Sequence, residues 1–322
     1  MKAPTEAEPS TVPRREIEKP LDIHALILTK DEEIHIRRCI ESLLGRVSSI
    51  TVVDSGSSDN TREIAASFGA IVVENRWVNY ATQMNFGIDL LSNRGGWLLR
   101  IDADEVLDAE QLNDLRDTVS KAGADCDGIL IKRRIYFLGR RIRFGGIEPS
   151  WQLRLWRNGR GKCEQRWMDE HIVVERRVQK SSLSLSDHNL KSLTWWMSKH
   201  NSYASREAAD ILSKKTEAFK PMVENGRKLS APAAIKRFMK EKIYLKMPPA
   251  WRACAYFLYR YAFLLGFLDG RSGLYFHLLQ GFLYRTLVDA KVDEILEFAK
   301  KTNIPLEDAI KDRTGIDLRS GV

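Results

Sequence analysis

Carboxylate side chains follow two apolar segments, in a pattern that can hold a divalent cation beside a nucleotide. Asp102 and Asp104 come directly after the apolar segment 97–101, and Asp54 follows a second such segment. Mg²⁺ and Mn²⁺ prefer oxygen ligands and often use one or two carboxylates together with substrate phosphates. A cation held in this way neutralises the charge that develops on a leaving nucleoside diphosphate. The alternative interpretation of Asp102 and Asp104 is an acidic turn that caps the next helix.

Asp54 begins a loop of serine, glycine and aspartate at 54–59, which leaves two interpretations open. Its carboxylate can accept a hydrogen bond from a nucleoside base or ribose. It can equally close an Asx-turn within the loop. The sequence has neither the GxGxxG fingerprint of dinucleotide oxidoreductases nor the Gly-Lys-Ser/Thr of a P-loop, which argues against those two kinds of nucleotide site.

Short apolar segments alternate with helical patterns ahead of these carboxylates. Strands are predicted at 24–29, 49–53, 70–73 and 97–101, and helices at 31–44, 60–69 and 81–91. This alternation implies right-handed crossovers and a mainly parallel sheet covered by helices. Ligands of such sheets bind beyond the carboxyl ends of the strands, so Thr29, Asp54 and Asp102 are expected to meet at one edge. The pattern becomes β-like over 128–174 and helical from 190 onward.

Four segments, in this order and at this spacing, resemble the family-2 glycosyltransferases of GT-A fold. They are LILTKDEE at 26–33, VVDSGSSDNT at 52–61, QMNFG at 83–87 and DADE at 102–105. The resemblance covers about residues 22–175 and points to bacterial enzymes of lipopolysaccharide core, capsule or exopolysaccharide assembly. It implies an α/β fold with a Rossmann-like, mostly parallel sheet and helices on both faces. It also implies inverting transfer from a nucleotide-sugar donor, with a UDP-sugar expected.

The resemblance implies a role for each matching residue. Thr29, Glu32 and Asp54 would line the nucleoside pocket. Asp102 would lie against the ribose and diphosphate, and Asp104 would bind Mg²⁺ or Mn²⁺. Met84 stands where many relatives carry Arg or Lys, so a relative that binds a nucleotide-sugar without catalysis is an alternative.

Inversion requires a base that deprotonates the acceptor hydroxyl. The segment 167–171 is similar to the region where relatives place that acidic base, so the base is expected at Glu170, with Asp169 as the second candidate. His171 beside them is expected to be a structural histidine rather than a metal ligand. The same structural interpretation applies to the segment 187–189 and to His200.

The positive charge of the chain points to an anionic partner. Fifty-one Lys and Arg against 43 Asp and Glu leave a net charge of +8 over 322 residues. Cations alternate with aromatic residues over 132–143 and again over 151–157, where we expect an acceptor diphosphate to bind while an aromatic ring stacks on a sugar. A solvated basic strand and a nucleic-acid-binding protein are the alternatives.

The chain is predicted to comprise a disordered lead at 1–20, a catalytic domain at 21–190 and a helical region at 191–322. Segments 251–267 and 274–287 are apolar, separated by 270–273, and the first carries Arg252 and Arg260. At about 17 residues the first segment is short for a span, so interfacial amphipathic helices are expected, and a packed hairpin or a transmembrane hairpin is the alternative. Five cations just upstream favour anionic lipid: Lys236, Arg237, Lys240, Lys242 and Lys246.

The region also resembles the C-terminal segments of polysaccharide-assembly enzymes. This implies a polyprenyl-diphosphate-linked or lipopolysaccharide-type acceptor and a peripheral position on the cytoplasmic face of the inner membrane. The four cysteines are far apart and form no CxxC or Cys/His pattern, which favours a reducing compartment without disulfides.

Overall fold

A mixed sheet of nine strands forms the centre of the fold, with a separate pair of strands beside it. The computed structural model describes residues 20–108, 111–164, 170–213 and 248–319. The predicted disordered lead, apart from its last residue, and the five upstream cations therefore lie outside the described residues. The strands are β1 (Leu21–Thr29), β2 (Val47–Asp54), β3 (Ile71–Glu74), β4 (Trp97–Arg100), β5 (Glu105–Leu107), β6 (Cys126–Phe137), β7 (Arg140–Ile142), β8 (Ser150–Arg157), β9 (Gly161–Cys163), β10 (Ile172–Val174) and β11 (Arg177–His188).

The four predicted N-terminal strands are confirmed and lie side by side in the order β3-β2-β1-β4, all parallel. Strand β1 is almost entirely buried because it has parallel neighbours on both sides and helices over both faces. Its last residue, Thr29, pairs with Asp54 at the end of β2. The carboxyl ends of these strands therefore meet at one edge of the sheet.

The second half of the sheet is mixed. Strand β8 runs antiparallel to both β4 and β6, and β6 pairs in parallel with β11. The short strands β5 and β7 pair antiparallel with β11 and β6. β1 to β4, β6 and β11 thus run in one direction, so the expected mostly parallel sheet is confirmed. The β-like pattern over 128–174 corresponds to β6 to β10.

Helices cover both faces of the sheet, as expected. Helices α1 (Glu33–Glu41), α2 (Thr61–Ser67) and α4 (Leu112–Ser120) pack on one face, and α3 (Tyr80–Leu91) packs on the other. Each face has its own apolar core because alternate residues of the central strands point to opposite sides. Met84 lies in the core beneath α3 and is fully buried.

The described parts of the C-terminal region, 191–213 and 248–319, are largely helical, as predicted. Its helices are α5 (Leu193–Ser213), α6 (Pro249–Leu258), α7 (Gly270–Phe276), α8 (Tyr284–Thr302) and α9 (Leu306–Thr314). A π-helical turn, Tyr259–Phe263, extends α6, and a second one, His277–Leu283, joins α7 to α8. The break between the two apolar segments begins earlier than predicted, at Leu265 with a φ of 60°, and ends at Gly270 with a φ of 64°. Residues 271–273 already belong to α7.

The loop after β7 joins the sheet to the C-terminal helices. The carboxylate of Asp269 accepts hydrogen bonds from the backbone N–H groups of Arg143 and Phe144, at 3.0 and 2.9 Å. Arg260 Nε donates to the carbonyl oxygen of Gly145 at 3.1 Å. The predicted boundary at 190/191 falls between β11 and α5 and stays a prediction.

Two further expectations can be compared with the described residues. All four cysteines are free thiols, and Cys39, Cys126 and Cys163 are buried. Among the described residues, none of the helices combines the length and the apolar character that crossing a bilayer requires. Arg252 and Arg260 are both buried against protein, and Arg252 pairs with Asp289 through two hydrogen bonds.

Candidate active site

The β4–β5 turn places the two candidate aspartates at the carboxyl edge of the sheet. The backbone N–H of Asp102 donates to Glu105 Oε2 at 3.0 Å, which closes the turn. Arg154, only 2% exposed, donates from Nη2 to Asp102 Oδ2 at 3.1 Å and to Glu105 Oε1 at 2.6 Å. Arg154 reaches both because it lies at an irregularity in the pairing of β8 with β6. One buried guanidinium thus holds both ends of the acidic turn.

Further charges surround this centre. Arg100 lies 3.4 Å from Asp102 Oδ1, and Arg133 forms ion pairs with Glu105 and Asp187. Burial opposes ionisation of Asp102, but Arg100 and Arg154 outweigh it and hold the pKa of that carboxyl well below its usual range. For the fully buried Glu105, burial dominates and raises the pKa to about 7 despite the nearby arginines.

Asp104 points away from this ion-pair network. Its Oδ2 accepts one hydrogen bond from Asn189 Nδ2 at 2.9 Å, and its carbonyl oxygen accepts from the backbone N–H of His188 at 3.1 Å. Asp104 therefore keeps carboxylate lone pairs that Asp102 uses on arginines. The sequence favours a structural role for 187–189, and no local signal there indicates contact with Asp104, because the contact depends on the pairing of β11 with β5.

The carboxylate oxygens at this edge suit Mg²⁺ or Mn²⁺ as ligands, on the condition that further ligands complete the coordination. Asp104 and Asp102 offer hard oxygen ligands, both partly exposed. Among the residues that the structure describes, no group of three or more His, Cys, Asp or Glu side chains is arranged to hold a metal. The remaining ligands would therefore have to come from phosphate oxygens and water, as is common for these ions.

Asp54 lies where the sequence analysis placed it, but its carboxylate is already occupied. It is fully buried and accepts four hydrogen bonds, from Thr29 Oγ1 at 2.7 Å, Ser57 Oγ at 2.5 Å, and the backbone N–H groups of Gly56 and Ser57 at 2.9 and 2.7 Å. Four accepted bonds fill the lone pairs of a carboxylate. The geometry is that of the Asx-turn interpretation, in which Asp54 shapes the loop at the sheet edge.

Glu32 is also held by its own chain. Its two carboxylate oxygens contact His35 Nδ1 at 2.5 Å and Lys191 Nζ at 2.9 Å. His35 Nε2 accepts from the backbone N–H of Leu190 at 2.8 Å, so its proton resides on Nδ1 and points to Glu32. Glu32 therefore ties the β1–α1 loop to the segment between β11 and α5.

Glu170 lies in a cavity of about 300 Å³ between the loop before α3, helix α5 and the residues that follow α9. Trp77, Tyr80 and Arg206 line the same cavity. Burial raises the pKa of the Cys163 thiol to about 12, and both Arg100 and Glu170 lie close enough to influence it. The guanidinium carbon of Arg100, which contacts Asp102, lies 4.9 Å from the ring centroid of Tyr80, so the cavity adjoins the residues around the acidic turn. Asp169 lies outside the described residues.

His171 and His200, for which the sequence favours a structural role, both contact other residues of the fold. His171 Nδ1 contacts Glu164 Oε1 at 2.9 Å. His200 stacks on Trp196 with ring centroids 3.5 Å apart, and its Nδ1 contacts the carbonyl oxygen of Trp196 at 2.8 Å.

The arginines of the basic, aromatic segment are largely engaged within the fold. Arg134 pairs with Asp108 at 2.6 Å, and Arg141 pairs with Glu148 through two hydrogen bonds of 2.6 and 2.7 Å. Arg157 donates to backbone carbonyls and lies over the ring of Trp97. These contacts remove most of the support for a nucleic-acid surface, which requires arginines that are free to bind phosphates.

The fold and this edge define an α/β protein with an acidic turn at the carboxyl edge of its sheet, and comparison with known proteins shows what this part of the chain is similar to. Residues 25–174 match the family model described as Glycosyl transferase family 2. The chain therefore contains a family-2 glycosyltransferase domain, and the resemblance of its four segments is confirmed.

The relatives match over part of their length. The lipopolysaccharide core biosynthesis glycosyltransferase LpsC of Rhizobium meliloti (strain 1021) is 32% identical over 164 residues, which cover 49% of this chain and 59% of LpsC. An uncharacterized glycosyltransferase of Rickettsia felis is 43% identical over 88 residues, which cover 27% of this chain and 30% of that protein. The chain thus spans less than two thirds of these relatives.

A solved structure, S. aureus TarS 1–349, is 14% identical and covers 92% of this chain and 90% of its own, with a TM-score of 0.40. Glucosyl-3-phosphoglycerate synthase from Mycobacterium tuberculosis, solved with Mn²⁺ and UDP, is 20% identical and covers 41% of this chain and 51% of its own, with a TM-score of 0.31.

The Arg154→Met substitution tests whether one guanidinium holds the acidic turn. Leaving buried carboxylates without their cation is expected to lower the free energy of unfolding by about 3–5 kcal/mol. Adding Glu105→Gln should recover a large part of that loss, because the buried charge is then removed. Urea denaturation measures both changes.

Arg177→Met is the matched control, because Arg177 pairs with Asp125 at the surface and is half exposed. That substitution is expected to change the free energy of unfolding little, because surface ion pairs contribute little to stability. An equal loss of stability in Arg154→Met and Arg177→Met would contradict the assignment.

Proposed function

We propose that this protein is an inverting glycosyltransferase that moves a sugar from a nucleotide-sugar donor to a lipid-linked saccharide. The donor is a UDP-sugar. The acceptor is linked to polyprenyl diphosphate or is of the lipopolysaccharide type. The observation that carries the proposal is the Asp102–Asp104 turn, fixed by Arg154 at the carboxyl edge of a domain of this family.

Different residues at the sheet edge bind different parts of the nucleotide-sugar donor. Asp54 and Thr29 shape the loop against which the nucleoside lies, and Glu32 fixes the neighbouring loop. Asp102, held ionised by Arg100 and Arg154, lies against the ribose and diphosphate. Asp104, together with the donor phosphates, would hold Mg²⁺ or Mn²⁺, and the ion would supply positive charge for the departing diphosphate.

Glu170 acts as the base on the acceptor side. Its cavity opens between α5 and the loop before α3, so an acceptor hydroxyl can reach it from the C-terminal helices. Deprotonation by Glu170 raises the nucleophilicity of that hydroxyl as it attacks the anomeric carbon from the face opposite the leaving group. Met84 does not weaken this proposal, because its side chain is buried in the core beneath α3 and not at the donor site.

The C-terminal helices bring the enzyme to the cytoplasmic face of the inner membrane as a peripheral protein. Ten of the 19 large apolar side chains that are exposed among the described residues lie within 251–283. Trp251 and Phe263 are 73% and 78% exposed. A concentration of exposed aromatic residues on helices is typical of an interfacial surface.

The Asp104→Asn substitution tests the metal site. UDP-, GDP- and dTDP-sugars are incubated with a polyprenyl-diphosphate-saccharide extract and Mg²⁺ or Mn²⁺, and nucleoside diphosphate release is measured. Release from the UDP-sugar should require both metal and acceptor and should fall about 100-fold or more in Asp104→Asn, because the substitution removes a charged metal ligand. Asp125→Asn, at a surface ion pair, should keep full activity. Turnover that persists in EDTA and in Asp104→Asn would overturn the proposal.

The Glu170→Gln substitution tests the base. Loss of a general base is expected to lower kcat by about 100-fold to 10,000-fold, while the KM for the donor stays unchanged. Steady-state kinetics of Asp169→Asn and of Glu297→Gln, at an exposed ion pair on α8, provide the comparison. A larger loss of kcat in Asp169→Asn than in Glu170→Gln would assign the base to Asp169 instead.

Vesicle sedimentation tests the membrane surface. The wild-type protein should bind phosphatidylglycerol vesicles more tightly than phosphatidylcholine vesicles. Trp251→Ser with Phe263→Ser should weaken binding about 10-fold or more, because two exposed aromatic side chains no longer enter the interface. Leu90→Ser, at an exposed apolar residue of α3, is the control and should bind like the wild type. Equal binding by all three proteins would contradict this surface.

A further inference from the structure

Helix α5 has two different faces. One face packs on the C-terminal helices through small residues, among them Ala204 and Ala208. The other carries cations and aromatic rings in alternation, starting just before the helix. Successive members are four, four, four and three positions apart, so they lie along one side of the helix. This α5 ladder consists of Lys191, Trp195, Lys199, Tyr203 and Arg206.

Neighbouring members of the α5 ladder are in contact. The Nζ atoms of Lys191 and Lys199 lie 4.5 and 4.7 Å from the ring centroid of Trp195. Lys199 Nζ is also 5.7 Å from the ring of Tyr203. The guanidinium carbon of Arg206 lies 5.8 Å from the same ring and 6.0 Å from that of Trp77. The ladder thus forms a continuous strip of cations and rings.

The α5 ladder extends from the donor side of the site to the base. At its first end, Lys191 binds the carbonyl oxygen of Asp31 at 2.6 Å and the Glu32 carboxylate at 2.9 Å. In the middle, Lys199 is near enough to Asp104 to interact electrostatically with it. At the far end, Arg206 lines the cavity that contains Glu170. A saccharide whose hydroxyl reaches Glu170 therefore lies beside the ladder.

Two cations of the α5 ladder differ from the arginines of the sheet. Within the described part of the chain, neither Lys199 nor Arg206 makes an ion pair with a carboxylate, whereas Arg133, Arg134, Arg141 and Arg154 all do. Burial lowers the pKa of Lys199, but Tyr203, Asp104 and Glu32 outweigh it and leave the pKa raised, so the ammonium stays charged. Both cations are available to an anionic ligand.

We propose that the α5 ladder binds the acceptor, and that the acceptor is a saccharide carrying an anionic group, phosphate or carboxylate. Trp195 and Tyr203 offer aromatic faces to the sugar rings, and Lys199 and Arg206 bind the anionic group. This inference rests on the proposed function, because it takes the cavity of Glu170 to be the acceptor side.

The test uses an oligosaccharide obtained by de-acylation of a bacterial lipooligosaccharide, in native, phosphatase-treated and carboxyl-reduced forms. Binding to the full chain is measured by isothermal titration calorimetry with UDP and Mn²⁺ present. The affinity of the wild type for the native form should be at least about 10-fold higher than for the form that lacks the recognised anion. Whether phosphatase or carboxyl reduction causes the loss identifies that anion.

Variants connect the effect to the α5 ladder. Lys199→Gln and Arg206→Gln should each weaken binding of the native form about 10-fold or more and should lose little further when the anion is removed. Trp195→Ala should weaken binding of all three forms, and Trp195→Phe should restore it. Lys121→Gln, at an exposed lysine of the α4 region, should bind like the wild type. The affinity for UDP should stay unchanged in every variant.

Three results would overturn the inference: no binding of any form, equal binding of all forms, or a loss of UDP affinity in Lys199→Gln and Arg206→Gln.

Failure of the proposed function gives a different result. Saccharide binding that follows the predicted pattern without any sugar transfer would support the ladder and contradict the transferase. Sugar transfer with an acceptor KM that is the same in the wild type and both variants would support the transferase and contradict the ladder.

Discussion

The buried guanidinium of Arg154 is the interaction on which the site depends. It binds Asp102 and Glu105 at once, and Glu105 in turn accepts the backbone N–H of Asp102. A buried carboxylate without a cation is strongly unfavourable, so these three groups are stable only together. Their geometry leaves Asp104 on the outer side of the turn with free lone pairs. The position of Asp104, the proposed metal ligand, thus follows from a contact beneath it.

Helix α5 and the segment before it relate this edge to the rest of the chain. Asn189 binds the Asp104 carboxylate, and Lys191 binds Glu32. The opposite face of α5 packs on α8, whose neighbours carry the exposed aromatic surface. One continuous segment therefore contacts the β1–α1 loop, the acidic turn and the helices that are proposed to meet the membrane. In this arrangement the α5 ladder, the proposed acceptor site, lies between the proposed membrane surface and the proposed nucleotide site.

Sequence patterns predicted the parts of the fold that depend on local chemistry. The alternation of apolar segments and helices predicted β1 to β4 and α1 to α3, and the strand ends predicted that Thr29, Asp54 and Asp102 would meet. The role of Arg154 could not be predicted, because it depends on an irregular register between β6 and β8. Periodicity does not encode which of several arginines becomes buried beside a given carboxylate.

The same limit applies to the contacts of 187–189 and of the α5 ladder. Asp104 and Asn189 are 85 positions apart, and only the antiparallel pairing of β11 with β5 brings them together. Asp54 illustrates an ambiguity that the sequence left open, since one motif suited both a nucleoside contact and an Asx-turn. Four accepted hydrogen bonds and complete burial favour the turn.

The central claim is that Asp104 and a nucleoside diphosphate together form the metal site. Electron paramagnetic resonance of Mn²⁺ measures this directly, because bound and free ions give different signals. The account predicts weak Mn²⁺ binding to the protein alone, binding at least about 10-fold tighter when UDP is present, and loss of that enhancement in Asp104→Asn. Tight Mn²⁺ binding without UDP that persists in Asp104→Asn, or UDP binding that is indifferent to Mn²⁺, would contradict it.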